Sequence, residues 1–292
     1  TISRRFRRAL CHAPPMWFWD FMLAVPSWIR LLLCIALFVG FGVLAIRASS
    51  PRALALLQHA ESEGYPTGTA KPIDMLARVV SFTLVAFVFL TGIAISQFWL
   101  NGREALNATS AEASQYSFAV TYASRLPAPA GRDNVLAALE QYRVTVTQDE
   151  WPLLQHAQAT EAYDLQAQAG RDVGAALMSA ADAGAVDDPA WGNLETAVND
   201  MLLAGTDRIN AIPLPAAMSW VYLVFTLGMV ANIALALSTP ARLRFGLPVM
   251  CLAAFITALL VFLAFELCNP YLVGEYSIPL AHMTTSALGA AP

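Results

Sequence analysis

Four long apolar runs, nearly free of charge, constrain this chain more than any other feature. The first is Leu31 to Ile46, LLLCIALFVGFGVLAI, lengthened by Trp28 and Ile29. The second is Val79 to Leu100, VVSFTLVAFVFLTGIAISQFWL. The third runs from about Ile212 to Leu237, opened by Pro213 and Pro215 and stopped by Pro240; the fourth is Phe245 to Phe265, ended by Glu266. A helix rising 1.5 Å per residue needs roughly 20 residues to cross about 30 Å of hydrocarbon, and each run is close to that length. Composition agrees: 57% of the 292 residues are hydrophobic and 13% charged, with a mean hydropathy of +0.53, against about 25% charged residues in a soluble domain. A disordered chain, a nucleic-acid binder and an ordinary cytosolic enzyme are thereby excluded. The net charge of −4 leaves no polybasic field for nucleic acid. The expected fold is all-α, a multi-pass membrane protein with four transmembrane helices.

The segments around the runs set the remaining organisation. Residues 1–30 hold Arg4, Arg5, Arg7 and Arg8, then PPMWFWDFMLAVPSW, a tryptophan-rich stretch bounded by Pro15 and Pro26 and too short to cross. Tryptophan favours the headgroup level and arginine attracts anionic lipid. The stretch therefore reads as a helix lying on the bilayer rather than a re-entrant segment or a cleavable signal peptide. Residues 31–100 carry the first two spans and their loop, 212–265 the last two, and 266–292 a C-terminal turn and tail. Basic residues near the span ends, seven on one side and six on the other, do not orient the chain.

Residues 101–211 are polar, with 15 acids against six arginines, a net charge of −9. Their Ala, Gln, Leu and Glu content favours helix, and they are expected to form a helical extramembrane domain inserted between spans two and three. Its first helix continues span two to Ser124. A second opens near Asp133 as cap, with Val135, Leu139, Tyr142 and Val146 at helical spacing. QDEWP, ending at Pro152, bends or restarts the chain. A third helix runs from about Thr160 to Ala181. The fourth opens at Asp188-Pro189 and places Trp191, Leu194, Val198, Met201 and Ile209 on one face.

Chemistry-bearing motifs are missing. Neither phosphate-cradling glycine loop occurs, nor H-E-x-x-H, nor G-x-S-x-G. His12, His59, His156 and His282 stand apart and outside the spans, and Cys11, Cys34, Cys251 and Cys268 form no C-x-x-C. No catalytic residue, metal site or cofactor is expected, and His156 reads as a residue on a solvated helix face. Span two is the most informative segment. Ser81, Val85, Phe89 (or Val88), Gly92 and Ser96 recur at three- and four-residue spacing and share one helical face. Small hydroxyl residues with bulky apolar neighbours suit a pore wall, where hydroxyls partly replace hydration and an apolar ring gates by dewetting. The same residues also suit close packing of helices. After span four, Glu266 falls at the membrane edge, where an acid is costly unless it pairs or faces water. It reads either as a functional residue, with Arg30, Arg103 or Arg208 as partner, or as an ordinary interfacial acid. Asn269-Pro270 then breaks the helix, and Gly274-Glu275 gives a second turn.

Two spans, a helical domain, two more spans and an Asn-Pro-aromatic turn resemble the layout of bestrophins, and more closely that of the bacterial bestrophin-like membrane proteins. The residues that carry the resemblance are QFWLNGREAL (Gln97 to Leu106), DEWP (Asp149 to Pro152), DRINAIPLPAAMSW (Asp207 to Trp220) and FELCNPYLVGEYSIP (Phe265 to Pro279). It implies a homo-oligomeric channel of five subunits in the bacterial plasma (inner) membrane, conducting small ions, anions rather than cations. It also implies that span two lines the pore, with Ser81, Val85 and Phe89 at a narrow neck. Only Phe89 of those three is aromatic. The acidic run of the bestrophin calcium clasp is absent, with Leu272 and Val273 intruding and Glu275 alone remaining, so calcium activation is not implied. The alternative is a non-conducting accessory or scaffold subunit of a larger membrane complex.

Overall fold

The structure, a computed structural model, describes residues 16–62, 72–127, 129–211, 215–238 and 246–272. Every regular element among them is helical: α1 (Met16–Ala24), α2 (Ser27–Ser62), α3 (Pro72–Ala123), α4 (Pro129–Val144), α5 (Trp151–Gln155), α6 (Ala159–Asp182), α7 (Trp191–Asn210), α8 (Pro215–Ser238) and α9 (Gly246–Leu267). A π-helical turn, Thr145–Glu150, joins α4 to α5, and a 3-10 turn, Ala185–Asp187, precedes α7. Among the described residues, α2, α3 and α9 are long and apolar enough to cross a membrane. The third expected run also folds as a helix, α8, whose described apolar stretch Ser219–Leu235 is shorter than in those three. At nine residues, α1 is about 14 Å long and cannot cross.

The chain divides into two compact units. The first holds Ala24–Phe98 and Leu214–Cys268. Its helices meet at Gly228, where a side-chain carbon would sit 3.1 Å from the Phe87 ring, 3.1 Å from Thr257 Cγ2 and 3.3 Å from the Phe38 ring. Small residues let membrane helices approach this closely, so packing replaces the hydrophobic drive that lipid does not supply. The Phe225 ring meets Phe38 edge-on at 5.7 Å and Phe265 at 6.4 Å between centroids. Along α9, Ala254, Ala258, Val261 and Ala264 form a buried stripe at helical spacing.

The second unit holds Trp99–Pro213, α1 up to Leu23 and the segment after Cys268. Its core is built from the periodic residues of α4 and α7, including Val135, Leu139, Tyr142, Val146, Leu194, Val198 and Met201. Two helix starts differ from the sequence expectation. Helix α4 opens at Pro129 rather than Asp133, because proline's fixed φ and missing N–H suit a first turn. Asp133 lies inside the helix, paired at 3.1 Å with Arg132. Helix α7 begins at Trp191, since Asp188 Oδ1 accepts the Ala190 N–H at 2.7 Å and closes a turn ahead of the helix. The QDEWP break takes the form of the π-turn, with Pro152 in the first turn of α5. Gly184 follows α6 with φ +89°, a left-handed residue that suits glycine just past a helix end.

Candidate functional site

In the first unit, α3 presents two contrasting faces. Val80, Phe87, Thr91, Ala94 and Phe98 are buried, at spacings of seven, four, three and four that keep them on one side of the helix. Ser81, Val85, Phe89, Gly92 and Ser96 lie on the exposed side, with Val85 68% and Phe89 65% exposed while Phe87 is 1% exposed. Phe82 and Val88 share that exposure.

Glu266, near the end of α9, is buried and pairs with Arg30 near the start of α2 at 3.2 Å. Arg30 Nη2 donates to Ser27 Oγ at 2.8 Å, and the Ser27 hydroxyl donates to Glu266 at 3.3 Å. An acid and a base desolvated together need such mutual hydrogen bonding to offset the loss of water. Of the three arginines considered from sequence, the partner is Arg30.

The second unit contains a cluster that sequence reading missed. Arg208 on α7, Glu112 on α3 and Glu150 at the end of the π-turn have side chains with no solvent exposure. Arg208 grips Glu112 through two bonds, Nε to Oε2 at 2.5 Å and Nη2 to Oε1 at 3.2 Å. Tyr142 on α4 donates its hydroxyl to Glu112 Oε1 at 2.7 Å. Gly205, one turn before Arg208, leaves room for this convergence: a side-chain carbon there would collide with the Gln166 amide and lie 2.9 Å from the Tyr142 hydroxyl. Glu150 Oε1 sits 2.8 Å from Arg208 Nη1, but neither Glu150 oxygen accepts an aligned hydrogen bond among the described residues. Burial pushes the Glu150 carboxyl up to about 7, with Arg208 opposing the rise and Glu112 adding to it. Burial works to lower the Arg208 pKa, yet the two carboxylates outweigh it and hold the guanidinium well above its ordinary value.

The short motifs noted in the sequence assemble around this cluster. Ala105 from the first motif, Trp151 from DEWP, Ile209 and Ala211 from DRINA, and Tyr271 from the Asn-Pro-aromatic turn belong to one buried apolar group. The Trp151 and Tyr271 rings pack edge to face at 5.2 Å, and the Arg208 guanidinium lies 5.9 Å from the Trp151 ring centre. Tyr271 donates its hydroxyl to the Arg208 carbonyl at 2.7 Å. Asn269 donates to the carbonyls of Leu154 and Gln155 at 3.1 and 3.0 Å, which caps the end of α5, and accepts the Tyr271 N–H at 3.0 Å. Asn269 and Pro270 are both buried. Gly274 and Glu275 lie outside the described residues. The signal that sequence reading passed over is positional: Glu112 is four residues before buried Tyr116, and Arg208 is seven after buried Met201. Each charged residue thus falls within an otherwise apolar helical stripe.

No group of three or more His, Cys, Asp or Glu that could hold a metal ion occurs among the described residues. An open groove of about 500 Å³ in the second unit is lined by Glu104, Asp207, Asn107 and Asn210 over an alanine floor.

A family model, the bestrophin-like domain, matches residues 72–282. Among solved structures, a tyrosine-to-alanine variant of a bacterial bestrophin homolog from Klebsiella pneumoniae aligns with a TM-score of 0.60 at 14% identity, over 88% of this chain and 96% of that one. A tryptophan-to-alanine variant of the same homolog gives a TM-score of 0.57 at 16% identity, over 89% and 95% of the two chains. A serine-to-alanine variant described as a membrane protein gives 0.56 at 16% identity, over 90% and 99%. At such identities the likeness speaks for the fold. Among curated proteins, none matches. The model match covers well over half of the sequence, and with it this chain belongs to the bestrophin-like family.

Proposed function

We propose that the chain is a subunit of a homo-oligomeric, bestrophin-type ion channel in the bacterial plasma membrane, of five copies by family resemblance. Helix α3 lines the pore, with Ser81, Val85 and Phe89 at the neck and Gly92 and Ser96 continuing the same face. One observation carries this reading: α3 buries one apolar face within its unit and turns a second, containing Val85 and Phe89, outward. A ring of Phe89 side chains around an axis would expel water and oppose ion passage. Helices α2, α8 and α9 complete the membrane unit, and Asn269 and Pro270 anchor the chain after α9. The permeant ion is an anion by family resemblance, and the −9 charge of residues 101–211 would oppose it wherever that surface faces the ion path.

The deciding variant is Phe89→Ala in proteoliposomes. If Phe89 gates a pore, every subunit loses its ring at once, the constriction wets, and flux rises, with a reversal potential that follows the chloride gradient. If Phe89 packs against another protein surface, flux stays at background and thermal stability falls, large-to-small changes in soluble cores costing about 3–5 kcal/mol. That second outcome removes the channel and leaves the scaffold subunit.

A further inference from the structure

The stretch from Glu150 to Gln158 carries features that conduction through α3 does not use. Glu150 is a buried carboxylate within ion-pair distance of Arg208 but without an aligned hydrogen bond among the described residues. It ends a π-helical turn, a distortion that recurs at functional positions. Helix α5 follows and ends at His156, whose two ring nitrogens both face acceptors: Nδ1 lies 2.7 Å from the Pro152 carbonyl and Nε2 lies 3.1 Å from Asp20 on α1. These contacts tie the end of α5 to α1. Ala157 comes next, in a left-handed conformation with φ 57° that a residue with a side chain adopts only under strain.

We propose that Glu150 is a proton-binding site at the start of α5 and that it makes the segment from Glu150 to Gln158 a latch: with Glu150 protonated the segment is held against Arg208, and with Glu150 deprotonated it opens. The groups that face Glu150 are Arg208 on α7, Glu112 on α3, Tyr142 on α4 and Tyr271 after α9. Two carboxylates share a single guanidinium in a site without solvent, so the cluster carries one negative charge in excess until a proton neutralises Glu150. The charged group facing His156 is Asp20, 3.1 Å from Nε2, which ties the far end of the segment to α1.

The closed segment holds the Glu150 carboxyl near 7, against an ordinary value of 4.5. It therefore binds more protons than the opened one, and closure is strongest in acid and weakens as pH rises through neutrality. A normal surface ion pair made by a carboxylate behaves oppositely and fails in acid. The latch does not depend on whether the chain conducts.

Amide hydrogen exchange of the full chain in lipid nanodiscs at pH 6 and pH 8, corrected for the intrinsic pH dependence of exchange, tests it. Peptides over residues 145–158 should open about tenfold more readily at pH 8 from the Glu150 contribution alone, while peptides from the middle of α6 and α7 stay unchanged. Glu150→Gln, which fixes a neutral group of the same shape, should remove most of that difference. Equal protection of wild-type 145–158 at both pH values overturns the latch. So does a difference that survives undiminished in Glu150→Gln, or one spread evenly over α6 and α7, which would mark global loosening.

Discussion

A methyl group at position 205 would lie 2.9 Å from the Tyr142 hydroxyl and 3.1 Å from Glu112 Oε1, and closer still to the Gln166 amide. Helix α7 comes this near to the charged cluster only because that position has no side chain. Gly205→Ala should therefore cost about 1–3 kcal/mol, even though alanine is the better helix former, because the Tyr142–Glu112 bond must lengthen or break. Ala157 is the mirror case. It sits just past α5, where Gln158 N–H bonds the Leu153 carbonyl at 2.8 Å and Ala157 N–H bonds that of Leu154 at 3.0 Å, the pattern that ordinarily carries glycine. Ala157→Gly should stabilise the chain by about 0.5–1 kcal/mol, the relief of left-handed strain less the added freedom of the unfolded chain. Thermal unfolding in one detergent reads both signs. A stabilised Gly205→Ala or a destabilised Ala157→Gly contradicts the geometry described.

At the scale of elements, the period of the sequence decided most of what could be read from it. Val135, Leu139 and Tyr142 recur every three or four residues, and the structure buries them together on α4. Helix ends were harder, since Asp133 and Asp188 both look like caps, whereas α4 opens earlier, at Pro129, and Asp188 closes a turn ahead of α7. The charged cluster was not legible, because Glu112 and Arg208 are 96 residues apart and pairwise proximity leaves no trace in a single sequence. Glu266 was legible in type, since its depth calls for a partner, and the structure supplies Arg30. A prediction follows for that pair. Glu266→Leu strands a buried guanidinium and should cost about 3–5 kcal/mol, whereas Glu266→Gln keeps a hydrogen-bond acceptor for Ser27 and Arg30 and should cost less. Equal melting of the two variants would mean that the carboxylate is simply solvated.

At the scale of the whole molecule, one copy of α3 offers a stripe rather than an enclosure. A pore lined by this helix has to be closed by further copies about an axis, each contributing the same residues. The exposed apolar residues of α3 and α2 lie outside the single-chain core, and the make-up of each face sets what it can meet. Ser81, Gly92 and Ser96 interrupt the α3 stripe with small residues, whereas exposed Leu44 lies on the strongly apolar part of α2. The two faces therefore differ in what should approach them. In a background in which the four cysteines are replaced, Val85→Cys should form disulfide-linked dimers on mild oxidation, because side chains at a narrow neck come within the roughly 4–7 Å Cα separation that a disulfide needs. Leu44→Cys, directed to lipid, should stay monomeric under the same oxidation. Native mass spectrometry should accompany this, with a particle near five times 31.5 kDa if the family stoichiometry applies. Dimers from Leu44→Cys without any from Val85→Cys would move the subunit contact to α2, and a particle of one chain's mass would leave α3 nothing to enclose.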